Sequence, residues 1–254
     1  MNVPTAPAAA RLERAPALQL SGSTTLLASI QRAAEAYMRT HAARIVVNGG
    51  VGTARGYKAL LDGATDVAMA SGAAPDELAA GAAARGLSFR ETVVARDAIL
   101  ALLHPSNPVE VLTLAELRAI YTGRIANWRA LGGPDAAIEV LVGPPTGGVT
   151  SSWRASIVGD DATFTPRARV LGAGERAARL AAHPAAIGYL PAMALPARGL
   201  KIPRIARGAG DRTAPEPAQA PLMLVTLGAP SALAARFIAH AATRADLALG
   251  GWRE

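Results

Sequence analysis

The chain has no cysteine, which removes disulfides, thiolate zinc sites and cysteine nucleophiles and is neutral about compartment. Lysine is nearly absent as well. Lys58 and Lys201 are the only two, so the net charge of +7 rests on arginines scattered among alanines. That scatter makes neither an arginine run nor an aromatic-interleaved basic patch, and no nucleic-acid partner is expected. An anionic small ligand stays compatible with the charge. His41, His104, His183 and His240 lie far apart without ligand spacing, so they read as surface or core imidazoles and no metal site is expected. No combination of Ser, His and Asp presents itself; Asp62 fits a surface turn, Asp66 a strand start and Asp97 a hinge hydrogen bond. The chain is therefore not expected to be an enzyme. A Gly-Lys-Ser/Thr loop is missing and the G-x-G-x-x-G spacing fails, so no nucleotide and no other cofactor is expected. Residues 1–16 lack an apolar run long enough for a secretion signal or a membrane span. Either a leader has been removed or the chain stays inside.

What is present is a pair of strand-loop-helix units whose loops are rich in glycine and hydroxyls. The first is Ser21-Gly22-Ser23-Thr24-Thr25-Leu26-Leu27, the second Gly49-Gly50-Val51-Gly52-Thr53-Ala54-Arg55-Gly56. Such loops set free backbone N–H groups and short hydroxyls at a helix N-terminus, where small anions bind. Around them Leu18–Leu20, Arg44–Asn48 and Thr65–Ala70 read as strands, the last ended by Ser71-Gly72. Leu26, Leu27, Ile30, Ala34, Tyr37 and Met38 recur at helical spacing. Strands alternating with helices argue for an α/β fold with a parallel sheet covered on both faces.

Further along, an Ala-rich helix over Pro75–Arg85 precedes Glu91–Leu103, an apolar stretch long enough to leave one lobe and enter another. Thr113 and Glu116 form a capping box for a helix over Leu114–Tyr121, followed by a loop from Gly123 through Gly133. Ile138–Val142 is a strand feeding a third glycine and hydroxyl loop, Gly143-Pro144-Pro145-Thr146-Gly147-Gly148-Val149-Thr150-Ser151-Ser152, which runs into a helix around Trp153. Ala186–Leu190 and Leu222–Leu227 read as strands, Pro203–Pro221 as a surface loop and Pro230–Thr243 as a closing helix. Tyr121 and Trp128 read as core or hinge packing.

These segments resemble the phosphate-binding proteins of bacterial ABC uptake systems, members of the type II periplasmic-binding-protein superfamily. The resemblance runs from about Gln19 to Thr243 and rests on the order of the blocks: SGSTTL, then GGVGTARGYKALLDGATDVAMAS, then VARDAILALLHPSNPVEVLTLAELRAIYTGRIANWRALGG, then IGYL. It implies a two-lobed α/β fold with a central ligand cleft: a disordered tract over 1–16, one lobe from 17–95 plus 221–254, the other from 96–220. Val67 and Val140 are expected in separate sheets. It further implies an extracytoplasmic, monomeric binding protein whose partners are a small oxyanion and an ABC permease. Carried over residue by residue, the first loop supplies Ser23, Thr24, Thr25 and the N–H of Leu26. The second supplies Gly52, Thr53 and Ala54, with Arg55 and Ser71 beside it; the third supplies Thr146, Gly147, Gly148, Thr150 and Ser151.

Two positions depart from the family's pattern. Gly72 stands where a charged residue follows the third strand, and the third loop carries no arginine. Arg55 and Arg154 are the cations near enough in sequence to substitute. With no proton acceptor at residue 72, weak discrimination between phosphate and sulfate is expected.

Overall fold

The computed structural model describes residues 17–159, 162–196, 199–206 and 218–243. The expected N-terminal tract, most of the Pro/Gly-rich stretch and the residues after Thr243 lie outside these. The chain divides into two compact units, one holding the described residues up to Ala95 together with those from Pro221, the other Arg96–Ala220.

In the first unit the order is β1 (Ala17–Gly22), α1 (Thr24–Thr40), β2 (Arg44–Asn48), α2 (Thr53–Leu61), β3 (Val67–Ala70) and α3 (Asp76–Ala83). β1 pairs in parallel with β2 on one side and β3 on the other. All four residues of β3 are buried, which is why it reads as an unbroken apolar run rather than an alternation. β3 begins two residues later than expected because Thr65 turns its hydroxyl onto the Gln19 carbonyl at 2.9 Å instead of extending the strand. α1 buries Leu26, Ile30, Ala33, Ala34 and Tyr37, the stripe anticipated from its spacing.

β4 (Phe89–Leu103) carries the chain onward into the second unit, which contains β5 (Val111–Thr113), α4 (Leu114–Tyr121), β6 (Glu139–Val142), α5 (Gly148–Trp153), β7 (Arg169–Val170), α6 (Ala173–Ala182), β8 (Ala186–Pro191) and β9 (Arg204–Ala206). The capping box of α4 is formed: Thr113 N–H donates to Glu116 at 2.7 Å and Glu116 N–H to the Thr113 hydroxyl at 3.1 Å. A short 3-10 helix, Trp128–Leu131, interrupts the expected loop. Its cause is Trp128, whose buried indole must satisfy its N–H and does so on the Ala185 carbonyl at 2.8 Å. The core of this unit gathers Ile99, Leu112, Leu117, Tyr121, Trp128, Trp153 and Tyr189.

The chain returns through β10 (Ala218–Leu227) and ends its described part with α7 (Ala232–Ala242). The expected surface loop over Pro203–Pro221 is thereby corrected at both ends. Residues 204–206 pair in parallel with β5, and β10 begins at Ala218, where Pro221 is accommodated within the strand. The strand order is β2-β1-β3-β10-β4-β8-β6-β7, so Val67 and Val140 belong to one hydrogen-bonded sheet and not to two. The reason is strand length. β4 runs for 15 residues, and its Ile99–Leu103 end pairs with β8.

Candidate functional site

The first two loops are tied together at the C-terminal ends of β1 and β3. Ser23 N–H donates to the Met69 carbonyl at 2.7 Å and Gly52 N–H to the Gly22 carbonyl at 3.0 Å. Gly22 adopts φ of +137°, and a Cβ there would collide with the Met69 carbonyl oxygen, so no other residue permits this turn. The consequence is a cluster of three hydroxyls. Ser23 Oγ donates to Ser71 Oγ at 3.1 Å, Thr53 Oγ1 and Ser71 Oγ share a bond of 3.2 Å, and Ser71 N–H donates to Thr53 Oγ1 at 3.1 Å. Ser23, Ser71 and Thr53 are 2%, 2% and 3% exposed. Ser23 and Thr53 stand where α1 and α2 begin and Ser71 at the end of β3, and the first N–H groups of a helix have no partner within it. One of them is used locally, Thr25 N–H donating to Ser23 Oγ at 3.3 Å.

Beside this cluster the structure adds two residues that the sequence reading missed. Tyr57 is fully buried, and its hydroxyl donates to Glu91 Oε1 at 2.6 Å with the Gly72 carbonyl at 3.3 Å. Burial, reinforced by the hydrogen bond to Glu91 and by its charge, pushes the Tyr57 phenol far above its ordinary range, so it remains a donor. A carboxylate from β4 is thus held beside residue 72, the position where the sequence shows only glycine.

In the second unit the third loop is organised by Tyr189. Gly143 N–H donates to the Tyr189 hydroxyl at 3.0 Å, and that hydroxyl donates to Thr150 Oγ1 at 3.1 Å. Burial raises the Tyr189 phenol, partly offset by these two bonds and by Arg176. Arg176, 3% exposed on α6, lies over the Tyr189 ring at 5.1 Å and donates through Nε to the Tyr189 carbonyl at 3.3 Å and through Nη1 to the Leu171 carbonyl. Burial lowers its pKa, partly offset by the neighbouring Tyr189 and Tyr121. A guanidinium buried without a carboxylate is costly. Here two carbonyls and a π face stand in for one. A Cβ at Gly143 would lie 2.9 Å from Arg176 Nη1 and would collide with Thr150 Oγ1, so the glycine lets the loop close onto both groups.

The predicted residues divide accordingly. Ser23, Thr25, Thr53 and Ser71 are brought together, with Gly52 as the N-cap of α2 and Leu26 buried behind them. Thr24 and Arg55 are exposed, and Ala54 is half-buried. Thr150 and Gly148 are buried in the third loop, Gly147 is half-buried, and Thr146 and Ser151 are exposed. Arg154 is exposed, and its guanidinium makes no hydrogen bond or ion pair among the described residues. The one legible hint of Arg176 was its place four residues before Leu180, on the buried stripe of α6. Among the described residues no group of three or more His, Cys, Asp or Glu could hold a metal ion, and no helix is long and apolar enough to cross a membrane.

A family model described as the PBP superfamily domain matches residues 5–235. The phosphate-binding protein PstS of Staphylococcus epidermidis is 26% identical over 123 residues, covering 47% of this chain and 38% of that protein. The phosphate-binding protein PstS of Bacillus subtilis is 29% identical over 137 residues, covering 54% of this chain and 44% of the relative. The chain thus matches less than half the length of these relatives. Among solved structures, an ABC-type phosphate transport receptor from Vibrio cholerae superposes with a TM-score of 0.69 at 22% identity, over 90% of this chain and 95% of that one. That likeness is one of fold.

Proposed function

We propose, because the chain belongs to the PBP superfamily domain family, that it is a solute-binding protein of the phosphate-binding type that captures a small oxyanion outside the cytoplasm and delivers it to an ABC permease. The observation that carries this reading is the buried trio of Ser23 and Thr53, at the starts of α1 and α2, with Ser71 hydrogen-bonded to both. Hydroxyls donate to an anion without adding charge, and helix N-termini favour negative charge. Ser23, Thr24, Thr25, Leu26, Gly52, Thr53, Ala54, Arg55 and Ser71 would contact the ligand from one unit, and Thr146, Gly147, Gly148, Thr150 and Ser151 from the other. The chain would act as a monomer with two lobes, and it would bind without catalysing a reaction.

A second reading is a sensor or interaction module on the same fold that has lost tight phosphate binding. Its support is the third loop, which carries no arginine. Calorimetric titration of the purified protein with phosphate, sulfate and molybdate separates the two. Saturable heat with any of these ions supports the binding protein, and none with any ion supports the module.

A further inference from the structure

A cavity of about 420 Å³ lies wholly within the second unit, between the third loop and the segment leading into β7. That volume is in the range of small-molecule sites, about 300 to 1,000 Å³. A bare tetrahedral oxyanion, with five heavy atoms, would leave most of it unused. Its two walls differ in chemistry. One presents Thr150, Ser151 and Arg154; the other presents Phe164, Ala168 and Val170 together with Thr163 and Thr165, and none of the described residues that line the space is a carboxylate. Thr150 and Arg154 stand four residues apart, one helical turn, and so address the cavity from the same side. The Arg154 guanidinium makes no hydrogen bond or ion pair among the described residues. Thr150 accepts the hydrogen of Tyr189, which leaves the threonine's own hydrogen to be donated into the cavity. A cation and the Thr150 hydroxyl donor facing a largely apolar wall match a ligand with an acidic head and an apolar body.

We infer that the ligand of this protein is an organic oxyanion, a phosphonate or phosphate monoester bearing a compact apolar substituent. The head would lie against Thr150, Ser151 and Arg154, and the substituent against Phe164 and Val170. This rests on the reading that the third loop contacts the oxyanion, and it narrows the ligand class. Apolar surface of the substituent, buried at about 25 cal/mol per Å², supplies the discrimination over the bare ion.

The test is calorimetry with phenylphosphonate, methylphosphonate and inorganic phosphate on the full chain, with Arg154→Gln and Val170→Asp as variants. Both positions are exposed, and unchanged thermal unfolding would certify each fold. Phenylphosphonate should bind at least about tenfold more tightly than phosphate (~1.4 kcal/mol), with methylphosphonate between them. Arg154→Gln should weaken phenylphosphonate by about tenfold, and Val170→Asp should abolish the preference for the phenyl group. Phosphate binding as tightly as phenylphosphonate, or a preference untouched by Val170→Asp, overturns the inference and leaves the oxyanion-binding reading standing. Silence with all three ligands overturns both.

Discussion

Tyr57 and Glu91 are 34 residues apart in the chain, and the phenol of one donates to the carboxylate of the other at 2.6 Å, beside the carbonyl of Gly72. An acidic group thereby reaches the end of β3 from a different strand. Tyr57→Phe should lower stability to urea by about 1 to 3 kcal/mol, the range for a lost hydrogen bond to a charged group. Glu91→Gln keeps an acceptor and should cost less. In titrations the wild type should favour phosphate over sulfate by no more than about tenfold, because this carboxylate is exposed and its attraction for a ligand proton is screened. A discrimination of several orders of magnitude would contradict this.

Asp97 offers a pH signature. Buried on β4 and bonded to Met193 N–H at 3.3 Å, its carboxyl is pushed up to about 6, desolvation outweighing the backbone hydrogen bonds. The unfolded chain ionises near 3.8. Between these values the unfolded state binds fewer protons, so the stability this group contributes is complete below about pH 4 and is lost as pH rises through 6. The loss should be about 3 kcal/mol. Chemical denaturation from pH 4 to 7.5 should show it, and Asp97→Asn should remove that part of the slope.

Thr53 has two duties, and a single substitution cannot separate them. Its hydroxyl accepts Ser71 N–H at 3.1 Å in a buried setting, so Thr53→Val should destabilise the fold by about 1 to 3 kcal/mol whatever happens to binding. Thr53→Ser keeps the hydroxyl. Recovery of both thermal stability and oxyanion affinity in the serine variant, with neither in the valine variant, is the expected result.

Gly22→Ala and Gly143→Ala test the backbone beneath the loops. Alanine at 22 meets a main-chain carbonyl at positive φ, whereas at 143 it meets the Thr150 side chain and the Arg176 guanidinium. Backbone cannot yield as a side chain can, so Gly22→Ala should be the more damaging, costing upwards of about 2 kcal/mol. Melting temperatures of the two variants would rank them.

The local devices of this fold were legible in the sequence. The βα alternation, the Thr113–Glu116 capping box, the apolar stripe of α1 and the length of β4 all depend on neighbours within a few residues, and each appears in the structure. The hydroxyl loops were legible for the same reason. Tyr57 with Glu91 and Arg176 with Tyr189 were not, because their partners lie 34 and 13 residues away and meet only after the strands have paired. An arginine on a helix reads as solvated until its face is known to be buried. The joining of eight of the ten strands into one sheet was hidden too, since hydrogen-bonding partners of β4 and β10 leave no trace in local pattern.

The relay from Gly143 through Tyr189 to Thr150 starts at a main-chain N–H, which can donate but never accept. Its first step therefore cannot reverse. Tyr189 passes its own hydrogen on to Thr150, so the two bonds run in the same direction. The polarity of this loop thus begins in the peptide backbone rather than in any ionisable side chain.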